Sequence, residues 1–284
     1  MSSETILEFK KTRSFKRILS DTFLFLKEHF IPLGTALLVI AGPFLLVTAL
    51  YSTTFLIKIL ATTPPDSQAA LLPDLENLKP YVLYNYVFIF ITSIIIAAVV
   101  YEYVVLYIEQ GSGPVRLGLI VEHLKHDFLR ILGAGFMSGI FVMFGLFLFI
   151  LPGIYLSVIL APIFMVILYE QLSVSDSFSR CFRLISGNWW NTFLMLFILV
   201  ILQSLLALIL ALPQSIVSAN ATAAMTSNGI PPNYQLWLLL TSVISSISYL
   251  LYAIPMVAVA FHYFNLAELH PLERPDEGNR RDLS

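Results

Sequence analysis

His123 and His126 stand three residues apart, with Glu122 and Asp127 beside them. Side chains at that spacing share a helical face, and imidazole suits zinc or iron, so these are the best metal-ligand candidates in the chain. A site also needs a third ligand. His29, His262 and His270 have no partnered spacing, and the expected reading is ordinary interfacial polar residues with no metal and no cofactor. Glu102 raises a different chemistry. It lies inside an apolar run, seven residues before Glu109, and a carboxylate at mid-bilayer costs about 2.5 to 3.5 kcal/mol, which makes it a possible intramembrane polar site. Seven helical residues span only about 10 Å, so an arginine or a headgroup can reach it.

Arg180 and Arg183 are also three apart, on a segment with helical periodicity, followed by Trp189 and Trp190. Guanidinium groups bind phosphate in bidentate fashion and indole rings favour the headgroup region, so these four residues are the expected lipid or headgroup contacts. Nearby carboxylates such as Glu170 are the competing partners for the arginines. The chain contains no phosphate-binding glycine loop, no zinc-protease signature and no serine nucleophile elbow. A non-enzymatic protein is expected.

The elements that position these residues follow from composition. Of the 284 residues 58% are hydrophobic and 12% charged, against about 25% charged in a soluble domain. The mean hydropathy is +0.83. Apolar runs cover about residues 30 to 57, 82 to 108, 129 to 169, 191 to 212 and 235 to 264. A straight helix over the third run would be about 60 Å, twice the apolar thickness of a bilayer, so the chain must fold back, with Pro152 and Gly153 as the expected turn. The expectation is an all-α membrane protein with six transmembrane helices, and Gly135 and Gly139 have the spacing for close helix contact.

Only Lys58 and Lys79 of the 16 lysines and arginines fall outside the segments that are cytoplasmic if the N-terminus is cytoplasmic. The positive-inside rule therefore predicts both termini in the cytoplasm. The uncharged loop expected from Pro213 to Asn233 agrees. With a net charge of −2, no nucleic-acid surface is expected. The charged N-terminus does not read as a signal peptide, and the single cysteine, Cys181, excludes an intrachain disulfide.

Three segments between the runs have amphipathic periodicity. Around 173 to 186, Val174, Phe178, Cys181, Phe182 and Ile185 share one face while Asp176, Ser179, Arg180 and Arg183 face away, with Ser173 as cap and Gly187 as left-handed terminator. Around 13 to 28, the face is Phe15, Ile18, Leu19, Thr22 and Leu26. Around 113 to 128 it is Val115, Leu119, Leu124 and Phe128, with Asp127 polar. Three units, each an interfacial helix followed by a transmembrane hairpin, are therefore expected in one membrane domain over residues 1 to 284, ending in a charged tail from 265.

From Leu151 onward the chain resembles the bacterial membrane family that includes the membrane domain of glycerophosphoryl diester phosphodiesterases and the YciC-like proteins. The likeness rests on "LPGIYL" at 151 to 156, Pro162, Glu170 and "SVSDSFSRCFRLISGNWW" at 173 to 190. Within the last segment Asp176, Phe178, Arg180, Leu184, Gly187, Asn188 and the tryptophan pair carry it. It is clearest over residues 113 to 200. Cys181 departs from the small hydroxyl residue usual there. The resemblance implies a bacterial cytoplasmic membrane, but no phosphodiesterase activity, because a soluble catalytic barrel of over about 200 residues has no room outside the apolar runs. The function expected is a scaffold or lipid-interacting module whose partners are membrane lipids and a membrane or cytoplasmic protein. The alternative is a small-molecule or lipid transporter with a polar path near Glu102.

Overall fold

A computed structural model describes Phe9 and residues 13–62, 75–111, 115–227 and 233–269, the side chains of 59–62, 75–78 and 221–227 excepted. The described residues form eleven α-helices and no strand: α1 Phe15–Glu28, α2 Phe30–Ile40, α3 Gly42–Thr62, α4 Leu75–Glu109, α5 Leu117–Leu148, α6 Ile150–Leu160, α7 Ile163–Glu170, α8 Val174–Ile185, α9 Trp189–Ser227, α10 Tyr234–Ile247 and α11 Ala253–Leu269. A short 3-10 segment, Ser248–Tyr252, joins the last two.

Five stretches are long and apolar enough to cross a bilayer: Lys79–Glu109, Leu117–Leu148, Ile150–Glu170, Trp189–Asn220 and Tyr234–Leu269. The first expected span is built in two pieces, α2 and α3. Pro43 has no N–H for the carbonyl of Val39, which interrupts the helix there, yet Ala41 N–H still bonds to Leu37 and Leu45 N–H to Ala41. Phe30–Ile40 and the apolar helix Gly42–Lys58 together have the length of a sixth crossing. The protein is an all-α, multi-pass membrane protein.

Its outside is as apolar as its inside. Phe136, Met143, Phe144 and Phe147 on α5, and Val200, Leu205 and Leu208 on α9, stand exposed, a surface that only lipid or another apolar face can cover. The inside is organised around α4. Every residue from Ile94 to Tyr107 is buried, enclosed by α2, α5, α7, α11 and the 3-10 segment. An apolar helix buried on all sides shows no amphipathic period, as this one does not. The expected Gly135/Gly139 contact is made here: a Cβ on Gly135 would meet Ile94 Cδ1 at 2.7 Å, and one on Gly139 would meet the Phe90 ring at 3.2 Å.

Several expected boundaries move. The fold-back of the third run is at Phe149, whose extended φ of −161° separates α5 from α6. Pro152 and Gly153 instead sit in the first turn of α6, where proline lacks no needed donor. Gly153 serves contact, since a Cβ on Gly145 would lie 2.9 Å from its backbone. Of the segment expected as a separate interfacial helix at 113 to 128, the part from Leu117 is continuous with the span after it, in the single helix α5, and Asp127 is buried in it; residues 113 and 114 lie outside the described residues. The expected loop from Pro213 is also helical as far as Ser227. Alanines after Pro213 favour helix, and one proline removes only one backbone bond. The expected C-terminal tail from 265 is helical to Leu269; its remainder lies outside the described residues.

Candidate functional site

The C-terminal ends of α4, α7 and α11, the N-terminal half of α5, and helices α1 and α8 meet at one end of the bundle. This end gathers the buried ionisable groups. Glu102 of α4 is 2% exposed, and His123 Nδ1 of α5 lies 2.9 Å from its Oε1. Asp127 accepts from Arg130 Nη1 at 2.8 Å, while the same Nη1 reaches Gln171 Oε1 at 2.8 Å, tying α5 to the turn after α7. Glu170, the last residue of α7, accepts from Arg180 Nε at 3.0 Å on each oxygen and from the Tyr263 hydroxyl at 2.7 Å. Each carboxylate thus has a cationic or imidazole partner, as burial demands.

Aromatic rings fill the space between. Phe25 of α1 packs edge-on against Tyr103 and Tyr107 of α4, and the Tyr103 hydroxyl is 2.8 Å from His29 Nδ1. The buried face of α1 is Ile18, Thr22 and Phe25, whereas the periodicity placed Phe15 on it. Phe15 is exposed. Arg13 fixes the start of this helix, with Nε donating to Asp21 at 2.7 Å and its backbone N–H to Asn265 on α11.

Helix α8 is amphipathic and capped as its sequence predicts. Ser173 accepts from Asp176 N–H at 3.2 Å, and Gly187 has φ +80°. Its buried face, however, is Ser177, Arg180, Cys181, Leu184 and Ile185. Phe182, expected inward, is 43% exposed, and Arg180, expected as a headgroup contact, is 4% exposed. The correction has a physical cause. Glu170 is buried and needs a cation, and rotating Arg180 inward to satisfy it turns Phe182 out. Arg180 is therefore committed to Glu170 and is closed to lipid. Burial also pushes the Cys181 thiol above its usual range.

Arg183 has the opposite fate. It is exposed, and no ion pair to it is found among the described residues. It borders a cleft of about 390 Å³ lined also by Tyr155, Phe182, Ser186 and Trp189. Trp189 stacks on Tyr155 with ring centres 5.7 Å apart and on Phe193 at 5.2 Å, and its Nε1 donates to the Tyr155 carbonyl at 3.4 Å. Trp190 turns away, 75% exposed. Of the four expected lipid contacts, Arg183 and Trp189 share a site. No protein-family model, curated protein or solved structure matches the chain. The resemblance to the glycerophosphodiesterase membrane domain consequently rests on the motif residues alone.

The two expected metal candidates are used differently. His123 engages Glu102, while His126 projects outward and approaches only its neighbour Asp127, at 3.3 Å. Among the described residues no three His, Cys, Asp or Glu side chains gather in a way that could hold a metal. Sequence reasoning weighed Glu102 and His123 separately and missed that they pair. A signal existed: both are nearly equidistant from the turn carrying Gly111, and an antiparallel hairpin brings such positions together. Tyr263 and Tyr155 gave no comparable signal, because their partners come from distant helices.

Proposed function

We propose that this chain is a non-enzymatic, lipid-interacting module of a bacterial cytoplasmic membrane, with both termini cytoplasmic and with the cleft at Arg183 and Trp189 receiving an anionic headgroup. The observation that carries this reading is the exposed Arg183, with no ion pair to it among the described residues, beside an ordered aromatic wall. Phosphate suits that guanidinium through bidentate hydrogen bonds, and the indole and phenol rings suit the headgroup layer. One such cation contributes about 1 kcal/mol of attraction to an anionic surface. The spans supply the anchoring, and the cleft supplies selection.

The basic-residue bias of the sequence supports the cytoplasmic orientation, and the motif resemblance supports the bacterial setting. A scaffold role, in which the same face receives a membrane or cytoplasmic protein, uses the same exposed residues. Arg183→Gln tests the reading. The variant should insert normally and lose about fivefold in its preference for phosphatidylglycerol over phosphatidylcholine in liposomes; an unchanged preference removes the headgroup assignment. Transport of a solute abolished by Glu102→Gln would support the transporter instead.

A further inference from the structure

A second concavity lies on the opposite flank of the same end. Helices α1 and α2 meet at His29 with a bend of 74°, and α2 leans over α9 and the 3-10 segment without closing on them. The gap is a groove of about 880 Å³, within the range of about 300 to 1,000 Å³ typical of small-molecule sites. Phe30, Gly34 and Leu38 form one wall, and Leu210, Leu251 and Ile254 the other. Only two polar side chains border it. The Thr35 hydroxyl is already spent on the Ile31 carbonyl at 2.7 Å. The other is Lys27, exposed in the last turn of α1, with no ion pair to it found among the described residues.

The polarity along this groove matches one kind of molecule. Lys27 stands at the end where α1, His29 and the ionisable cluster mark the interface. The walls below it are apolar as far as Leu38, about 12 Å along α2 from Phe30 at about 1.5 Å per residue. A cation at the mouth and a continuous hydrocarbon lining below is the complement of an anionic phospholipid lying with its phosphate at Lys27 and its acyl chains between α2 and α11. Inside a bilayer the groove cannot hold water against such walls. We propose that it is a binding site for one anionic phospholipid, separate from the Arg183 cleft. The inference rests on the reading of the chain as a membrane module in contact with lipid, but not on the headgroup role of Arg183.

Gly34 provides the test. A Cβ built there meets no atom within 4 Å, so the backbone tolerates a side chain at this position, and Gly34→Phe puts a ring into the groove; an unchanged denaturant midpoint in detergent confirms that the variant is folded. Full-length protein in liposomes would be exposed to phosphatidylglycerol carrying a photoreactive diazirine on one acyl chain, and the labelled residues mapped by mass spectrometry. Label should concentrate on the groove walls over the exposed Phe144 and Phe147 of α5, and should fall there in Gly34→Phe. Lys27→Gln should cut the advantage of phosphatidylglycerol over phosphatidylcholine at these positions by about fivefold. Arg183→Gln should leave groove labelling intact, which separates a failure here from a failure of the cleft. Labelling that simply follows exposure, persistence in Gly34→Phe, or equal labelling by the two wild-type lipids would each overturn the proposal. So would a diazirine fatty acid that displaces the phospholipid, or a dimer that Gly34→Phe dissociates.

Discussion

Replacing Arg180 by methionine separates a buried structural cation from a lipid ligand. Arg180 and Glu170 side chains are both 4% exposed, and Glu170 retains only the Tyr263 hydroxyl once the guanidinium is gone. Removing one partner of a buried pair leaves an uncompensated charge, which costs about 3 to 5 kcal/mol. Arg180→Met should lower unfolding free energy by that amount, measured by denaturant titration in detergent micelles. Glu170→Gln/Arg180→Met, which removes both charges and keeps a carbonyl oxygen for Tyr263, should recover most of the loss. The difference between the double variant and the sum of the singles is then the coupling energy of the pair. A loss below about 1 kcal/mol for Arg180→Met, the value of a surface pair, with additive single effects, would refute the argument. Reduced phosphatidylglycerol preference at unchanged stability would return Arg180 to the lipid face.

Glu102→Gln and His123→Ala should each loosen the α4–α5 contact, and their effects on stability should be strongly non-additive in a double-mutant cycle because the two side chains meet at 2.9 Å. Cys181 is wholly buried and its thiol is shifted up by burial; maleimide at pH 8 should label it slowly in the native protein and rapidly after denaturation. Gly145→Ala should destabilise the α5–α6 hairpin by about 1 to 3 kcal/mol through overpacking, since its Cβ would fall 2.9 Å from Gly153 backbone atoms; the same denaturant titration measures it. Ser173→Ala should cost about 1 kcal/mol by removing the cap of α8, read as faster hydrogen exchange at the Asp176 amide that the Ser173 hydroxyl accepts from.

Local chemistry was legible where it depends on neighbours in sequence. The Ser173 cap and the Gly187 terminator of α8 follow from residue type and position, and the Gly135/Gly139 contact follows from spacing. The facing of α8 did not. Its periodicity favours Phe178 and Phe182 inward; Phe178 does pack on the core, but Phe182 is exposed, because Glu170 sets the rotation by drawing in Arg180, a demand that arises only once α7 has buried that carboxylate. The same limit applies to Pro152 and Gly153, which signal a break in a long run but cannot say whether they form the turn or open the next helix. In an apolar chain the hydrophobic pattern marks lipid and protein faces alike, so burial of α4 on all sides over residues 94–107 was invisible in its composition. Arg183 keeps the outward facing that the periodicity gives it, and no acidic partner is found for it among the described residues.

The enclosure of α4 bears on how the protein is made. Glu102 emerges from the ribosome 21 residues before His123, and at about 5 to 20 residues per second the delay is roughly one to four seconds. During that interval the carboxylate enters the membrane without its imidazole, and α11, which finally covers α4, does not yet exist. The apolar residues flanking Glu102 must carry the helix through insertion alone. A nascent chain that has emerged from the ribosome only as far as Glu109 therefore presents an early intermediate with an exposed acidic helix, the form in which an insertase or membrane chaperone would meet it.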